Sequence, residues 1–199
     1  HTTARRQRQM CIRDSLYYAA KKNKYKSGIM ITGSHNPKNY NGLKIVINKK
    51  SMTSEKIKKI KSMIEEESFV YGSGKFTSLD IKDDYLKELQ EKIKISSKMK
   101  VCLDCGNGVG GVIAPQAFQL LGLEVTELYS EVDGNFPNHH PDPSNPKNLE
   151  DLKKKVLETN SDLGIALDGD GDRVGLIDNK GNIIFPDTYM MLLAEDLLR

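Results

Sequence analysis

Short runs of β-forming residues alternate along this chain with longer stretches whose apolar positions recur at helical spacing. Leu16 to Lys24 reads as the end of a helix and Gly28 to Thr32 as a strand. Leu43 to Ile47 reads as a second strand, apolar on both faces as in a covered sheet. Thr53 to Glu66 fits a helix, with Ile57, Ile60 and Ile64 at i, i+3 and i+7. "VYGSGKF" reads as a glycine-rich turn, Asp80 to Lys94 as a helix and "KISSKMK" as a linker. The pattern then restarts. Val101 to Asp104 is a strand, "CGNGVGG" a loop, and Ile113 to Leu121 a helix ended by Gly122. Leu123 to Tyr129 is a strand, "DGNFPNHHPDPSNPKN" a polar loop with four prolines, and Leu149 to Thr159 a helix. Leu163 to Leu167 is a strand that runs straight into "DGDGDR". Val174 to Ile177 and Ile183 to Phe185 are strands about the turn Asn179 to Asn182, and Pro186 leads into a last helix with Asp187 as its N-cap. Alternating strands and helices predict an α/β chain with largely parallel sheets. The restart places a domain boundary near residue 98, giving units 1–98 and 99–199 without an internal repeat.

Composition narrows the partners. Of 199 residues, 38% are hydrophobic and 29% charged, and the net charge is +3, which describes a soluble globular chain. Lysines cluster on helices with acids beside them and no aromatic platform, so they read as solvated faces and not as a nucleic-acid surface. No apolar run reaches the roughly 18 residues of a membrane span. Cys11, Cys102 and Cys105 form no disulfide framework, and Cys102 of the C-x-x-C pair falls inside a strand, which predicts reduced structural thiols and a cytoplasmic protein. Residues 1–13 are Arg-rich and acid-free, faintly like a transit peptide, and "ARRQRQMCIRDS" looks like translated adapter. Residues 1–15 are therefore given no functional weight.

Three patterns carry chemistry. Asp168, Asp170 and Asp172 stand at i, i+2 and i+4 with glycines between, so that the backbone can curl and turn all three to one point. Their repulsion calls for a cation, and carboxylate oxygens suit a hard one such as Mg²⁺. A calcium EF-hand is excluded, since a strand precedes the loop and its twelfth position is Asn179. Arg173 directly after the acids suggests phosphate oxygens at the same metal. Gly106, Gly108 and Gly111 satisfy G-x-G-x-x-G after a strand, with Glu124 and Glu127 near the spacing of a ribose-binding acid. That leaves a Rossmann-type dinucleotide-binding oxidoreductase open, although Pro115 and the unexplained acids weigh against it. Ser34, in "TGSHNPKNYNGLKI", ends a strand beside His35 without the G-x-S-x-G of a hydrolase. It fits better as a carrier of a phosphoryl group that would share the Mg²⁺, with Lys44 in reach.

These motifs, with "VDGNFPNHHPDPSNPKNLEDL", "ALDGDGDRVGLID" and "GNIIFPDTYMMLLAEDLL", resemble the α-D-phosphohexomutases, most closely the bacterial phosphomannomutase/phosphoglucomutase branch; phosphoglucosamine mutase is the alternative within the family. The resemblance covers Leu16 to Arg199. It implies three-layer α/β/α domains, the later part of a first domain and nearly all of a second, within a protein of four. It implies that Ser34 is phosphorylated, that Asp168, Asp170, Asp172 and the phosphoserine hold Mg²⁺, and that His35, Lys44 and Arg173 surround the transferred group. The implied ligands are hexose phosphates and a hexose 1,6-bisphosphate. The fragment alone is expected to turn over poorly.

Overall fold

The computed structural model describes residues 13–22, 26–33, 36 and 39–198. Helix α1 (Arg13–Lys22) precedes a three-stranded antiparallel sheet of β1 (Gly28–Thr32), β2 (Gly42–Ile47) and β3 (Lys50–Ser51), in that order. Leu16 and Ala20 of α1 pack on Met30 and Val46, which gives this sheet its core on one face. Ile29, Ile31, Leu43 and Ile47 leave the other face apolar and exposed. Helix α2 (Ser54–Glu65) carries the expected apolar stripe, but Ile57 and Ile64 are exposed and nothing in it is buried. Helix α3 (Lys82–Lys92) touches both halves of the chain. Tyr85 meets Tyr18 edge-on and Glu88 pairs with Lys22 at 2.7 Å, while Leu86 packs on Ile113 and Ala117.

The second sheet has the order β5-β4-β6-β7-β8, with β4 (Lys100–Asp104), β5 (Glu124–Leu128), β6 (Leu163–Leu167), β7 (Val174–Asp178) and β8 (Ile183–Ile184). Two layers of helix enclose it. On one face Val101, Leu103 and Ile165 pack with Ala114 of α4 (Ala114–Leu120). On the other, Cys102, Ala166 and Ile177 pack with Leu152 and Val156 of α5 (Glu150–Thr159). Gly164 lets α5 approach, since a Cβ there would lie 2.7 Å from Val156. Leu152 is fully buried; truncating such a leucine typically costs about 2–5 kcal/mol. The last helix, α6 (Pro186–Leu198), is largely exposed.

The expected α/β layering is present and the second sheet is mixed, but parallel pairing is confined to β5-β4-β6. The pairs β6–β7, β7–β8 and all of the first sheet are antiparallel. The connections explain it: a parallel crossover needs a dozen or more residues, and the turns at Asp168 and Asn179 are far shorter. Asp187 is not an N-cap. Pro186 already occupies the first helical position, where its fixed φ and missing N–H cost nothing, and Asp187 lies in the first turn.

Candidate active site

The two parallel neighbours β4 and β6 end side by side, the usual place for ligand chemistry in an α/β sheet. β6 delivers Asp168, which closes the turn after it. Asp168 Oδ1 accepts from the backbone N–H groups of Asp172 (2.8 Å) and Arg173 (3.0 Å), and Gly171 takes φ +70° to complete the curl. Asp168 and Asp170 are buried and Asp172 half-buried, and each offers a carboxylate oxygen within 4.8 Å of the others. The convergence expected from the i, i+2, i+4 spacing is therefore present.

Asp168 Oδ2 is buried and has no hydrogen-bond partner among the described residues. Arg173 Nε, at 3.9 Å, is too far to supply one. Burial, with repulsion from Asp170 and Asp172 behind it, pushes the Asp168 carboxyl up to about 6. An orphaned oxygen among acid-only donors is what a hard divalent cation satisfies, so these residues fit Mg²⁺.

Lys44 comes from β2 in the other sheet. Its Nζ donates to Asp170 Oδ2 at 2.5 Å and to Asp172 Oδ2 at 3.1 Å. Burial works against the charge, but those bonds outweigh it and raise the Lys44 pKa above its ordinary value. Lys44 is therefore a fixed cation, not a base. Thr32, at the end of β1, also reaches Asp170 Oδ2 from its hydroxyl at 3.5 Å. Ser34 and His35 lie outside the described residues. Arg173 is half-exposed, 4.0 Å from Asp172 Oδ1 and 4.0 Å from Asp142 Oδ1. It borders a cavity of about 370 Å³ lined also by Pro143, Ser144 and Tyr189.

The glycine loop has another use than a pyrophosphate. A Cβ on Gly108 would lie 2.8 Å from the Gly169 carbonyl oxygen, and Val109 N–H donates to that oxygen at 3.0 Å. The loop thus braces the acid turn with the backbone a dinucleotide would need. It leads into a short 3-10 turn, Val109–Val112, and Pro115 sits in the first turn of α4, where a proline is tolerated. The oxidoreductase alternative fails on that contact. The C-x-x-C pair is likewise structural: burial pushes both thiols up to about 12, away from the thiolate that redox or zinc chemistry uses.

Thr32 and Asp142 were not singled out from sequence, and Gly108 was read there as part of a tight turn or dinucleotide loop and not as a brace. Thr32 had a signal, standing two residues before Ser34 at the strand end; Asp142 had none, since a proline-rich loop has no period to read.

Comparison with known proteins agrees with this geometry. Residues 6–71 match the family model for phosphoglucomutase/phosphomannomutase alpha/beta/alpha domain I, and residues 83–181 that for domain II. A phosphomannomutase/phosphoglucomutase of Pseudomonas aeruginosa is 52% identical over 92% of the chain. A phosphoglucomutase of Neisseria meningitidis is 45% identical over 92%. The chain spans 40% of the length of both. A crystal structure of a phosphoglucomutase/phosphomannomutase family protein from Burkholderia thailandensis superposes with TM-score 0.83 at 43% identity, covering 86% of this chain and 38% of that one.

Proposed function

The chain belongs to the phosphoglucomutase/phosphomannomutase family, and on that premise we propose that it carries the phosphoryl-transfer half of an enzyme interconverting hexose 1-phosphate and hexose 6-phosphate, of mannose or glucose. Phosphorylated Ser34 gives its phosphoryl group to the free hydroxyl of a hexose phosphate. The Ser34 O–P bond breaks, the sugar O–P bond forms, and the hydroxyl proton ends on the Ser34 oxygen. The product is a hexose 1,6-bisphosphate, which reorients and returns its other phosphate to Ser34.

The observation that carries this reading is the meeting of Lys44 with the acid turn. Lys44 follows the Ser34 loop on β2, so its contact with Asp170 and Asp172 brings the end of that loop toward the acids. Asp168, Asp170, Asp172 and the Ser34 phosphate would hold Mg²⁺. When bound, that ion supplies positive charge to the phosphoryl group in transfer. Lys44 and Arg173 add fixed positive charge beside it, which stabilises the charge on the phosphoryl group in transfer. His35 orients the Ser34 loop. The division between the units falls near residue 98, with α3 as the element that touches both.

Incubation with glucose 1,6-bisphosphate tests the reading. Mass spectrometry is expected to find one phosphate on Ser34, absent in Ser34→Ala and strongly reduced in Asp170→Asn. Labelling of another residue, or none in the full-length protein, overturns it.

A further inference from the structure

Between the end of β4 and the loop that joins β5 to α5 lies a part-buried contact of acid and histidine that the phosphoryl chemistry does not use. Asp104, the last residue of β4, is fully buried. One of its oxygens accepts from Gly106 N–H at 2.8 Å and the other from His139 Nε2 at 2.9 Å. The other ring nitrogen of His139, Nδ1, lies 3.0 Å from the backbone carbonyl oxygen of His140. A carbonyl and a carboxylate can only accept, so a ring that donates at both nitrogens here is an imidazolium. Its surroundings favour that charge. Tyr129, beyond β5, meets the ring edge-on at 5.4 Å, and its hydroxyl donates to Asp151 in the first turn of α5. The Asp104 hydrogen bond is the main influence raising the His139 pKa, against burial, with Asp151 adding to it.

The pair connects to the active site through two hydrogen bonds at the His140 carbonyl and one ion contact of 4.0 Å. The His140 carbonyl oxygen that takes the Nδ1 proton also accepts the backbone N–H of Asp142 at 2.8 Å. Asp142 Oδ1 faces Arg173 Nη1 at 4.0 Å. Pro141 between them is fully buried, and the next proline, Pro143, packs against Gly175 of β7. The segment from His139 to Pro143 is thus held at both ends, with Asp142 in its middle, where Oδ1 accepts from the backbone N–H (3.1 Å) and hydroxyl (2.7 Å) of Ser144 and stands 4.0 Å from Arg173.

We propose that His139, as an imidazolium clamped between Asp104 and the His140 carbonyl, is a positioning residue for Arg173, and that loss of its proton releases Asp142 and with it the Arg173 guanidinium. Charge on His139 is then a pH-dependent setting of the arginine. The sign follows from the raised pKa. The clamp is complete below the ordinary histidine value of about 6.5 and is lost as pH rises through the higher folded value. That Arg173 meets phosphate rests on the function proposed above; the clamp does not.

Long-range ¹H–¹⁵N spectra of the chain, followed across pH without substrate, test this. Two protonated ring nitrogens on His139 are expected below pH about 6.5, with a midpoint above that value. The Nε–H resonance of Arg173 is expected to broaden or shift with the same midpoint. In His139→Gln, which can still donate to Asp104, that pH dependence should vanish while the fold is kept. In Asp104→Asn the His139 midpoint should fall. A singly protonated ring in the wild-type protein below pH about 6.5 overturns the proposal with no variant needed. So does an Arg173 resonance that titrates alike in wild type and His139→Gln. Because no phosphate or sugar is present, neither result bears on the mutase reading, and failure of Ser34 to label would leave the clamp intact.

Discussion

Two aspartates end neighbouring parallel strands, and their fates differ. Asp104, closing β4, has a partner for each oxygen from within its own unit, a backbone amide and a histidine ring. Asp168, just past β6, spends Oδ1 on shaping its turn and leaves Oδ2 buried without a hydrogen bond among the described residues. Both are excluded from water to the same degree. Burial alone therefore does not mark a site; a buried acid whose satisfaction must come from elsewhere does.

The comparison predicts opposite signs for the same kind of change. Asp104→Ala leaves the His139 imidazolium without its counter-ion and is expected to lower stability by about 3–5 kcal/mol, the cost of breaking a buried pair. Urea unfolding measures it; a loss below about 1 kcal/mol would mean the pair is not charged. Asp168→Asn, in metal-free protein at neutral pH, should instead stabilise by up to about 3 kcal/mol, since the amide keeps the oxygen that closes the turn and removes the lone charge. The pH dependence follows the same logic. The folded carboxyl titrates near 6, above the unfolded value of about 3.9. Between those values the folded state holds a proton that the unfolded state has released, so metal-free stability falls as pH rises through that window. Thermal melts with and without Mg²⁺ are the check, and the ion should flatten the slope.

Metal affinity sharpens the contrast. Asp170→Asn should weaken Mn²⁺ binding by about 100-fold in calorimetry, where outer partners of metal ligands typically account for 10–100-fold. Tyr129→Phe, on the Asp104 side, should leave it unchanged. The smallest effect concerns the brace between the two turns. Gly108→Ala places a methyl against the Gly169 backbone, where relief requires the acid turn to move. A stability loss of about 1–3 kcal/mol is expected, with weaker Mn²⁺ binding; unchanged affinity would show that the turn holds its shape without its neighbour.

Much of the Asp168 side was legible in the sequence, and little of the Asp104 side. Leu163 to Leu167 is a continuous apolar run that announces a buried strand, and three acids at alternate positions cannot all be explained by solvation. Both are local signals. The Asp104–His139 pair joins residues 35 apart through a loop without periodicity, and His139 is one of two adjacent histidines with nothing to rank them. The glycine loop was legible as a tight turn but not as a brace, because Gly169 approaches it from a different strand. The apolar stripe of α2 was read correctly as a helix. A stripe says which face is apolar, not whether anything among the described residues covers it.

The hairpin that carries the acids bears on how the molecule assembles. Asp168 is bonded to Arg173 across only 5 residues, whereas Lys100 is bonded to Asp162, where β4 joins β6, across 62. The entropy of loop closure rises with the logarithm of that separation, so the hairpin closes at roughly 2 kcal/mol less cost. The acid turn takes its shape from contacts a few residues long, early in the search, and the long-range strand that braces it arrives later.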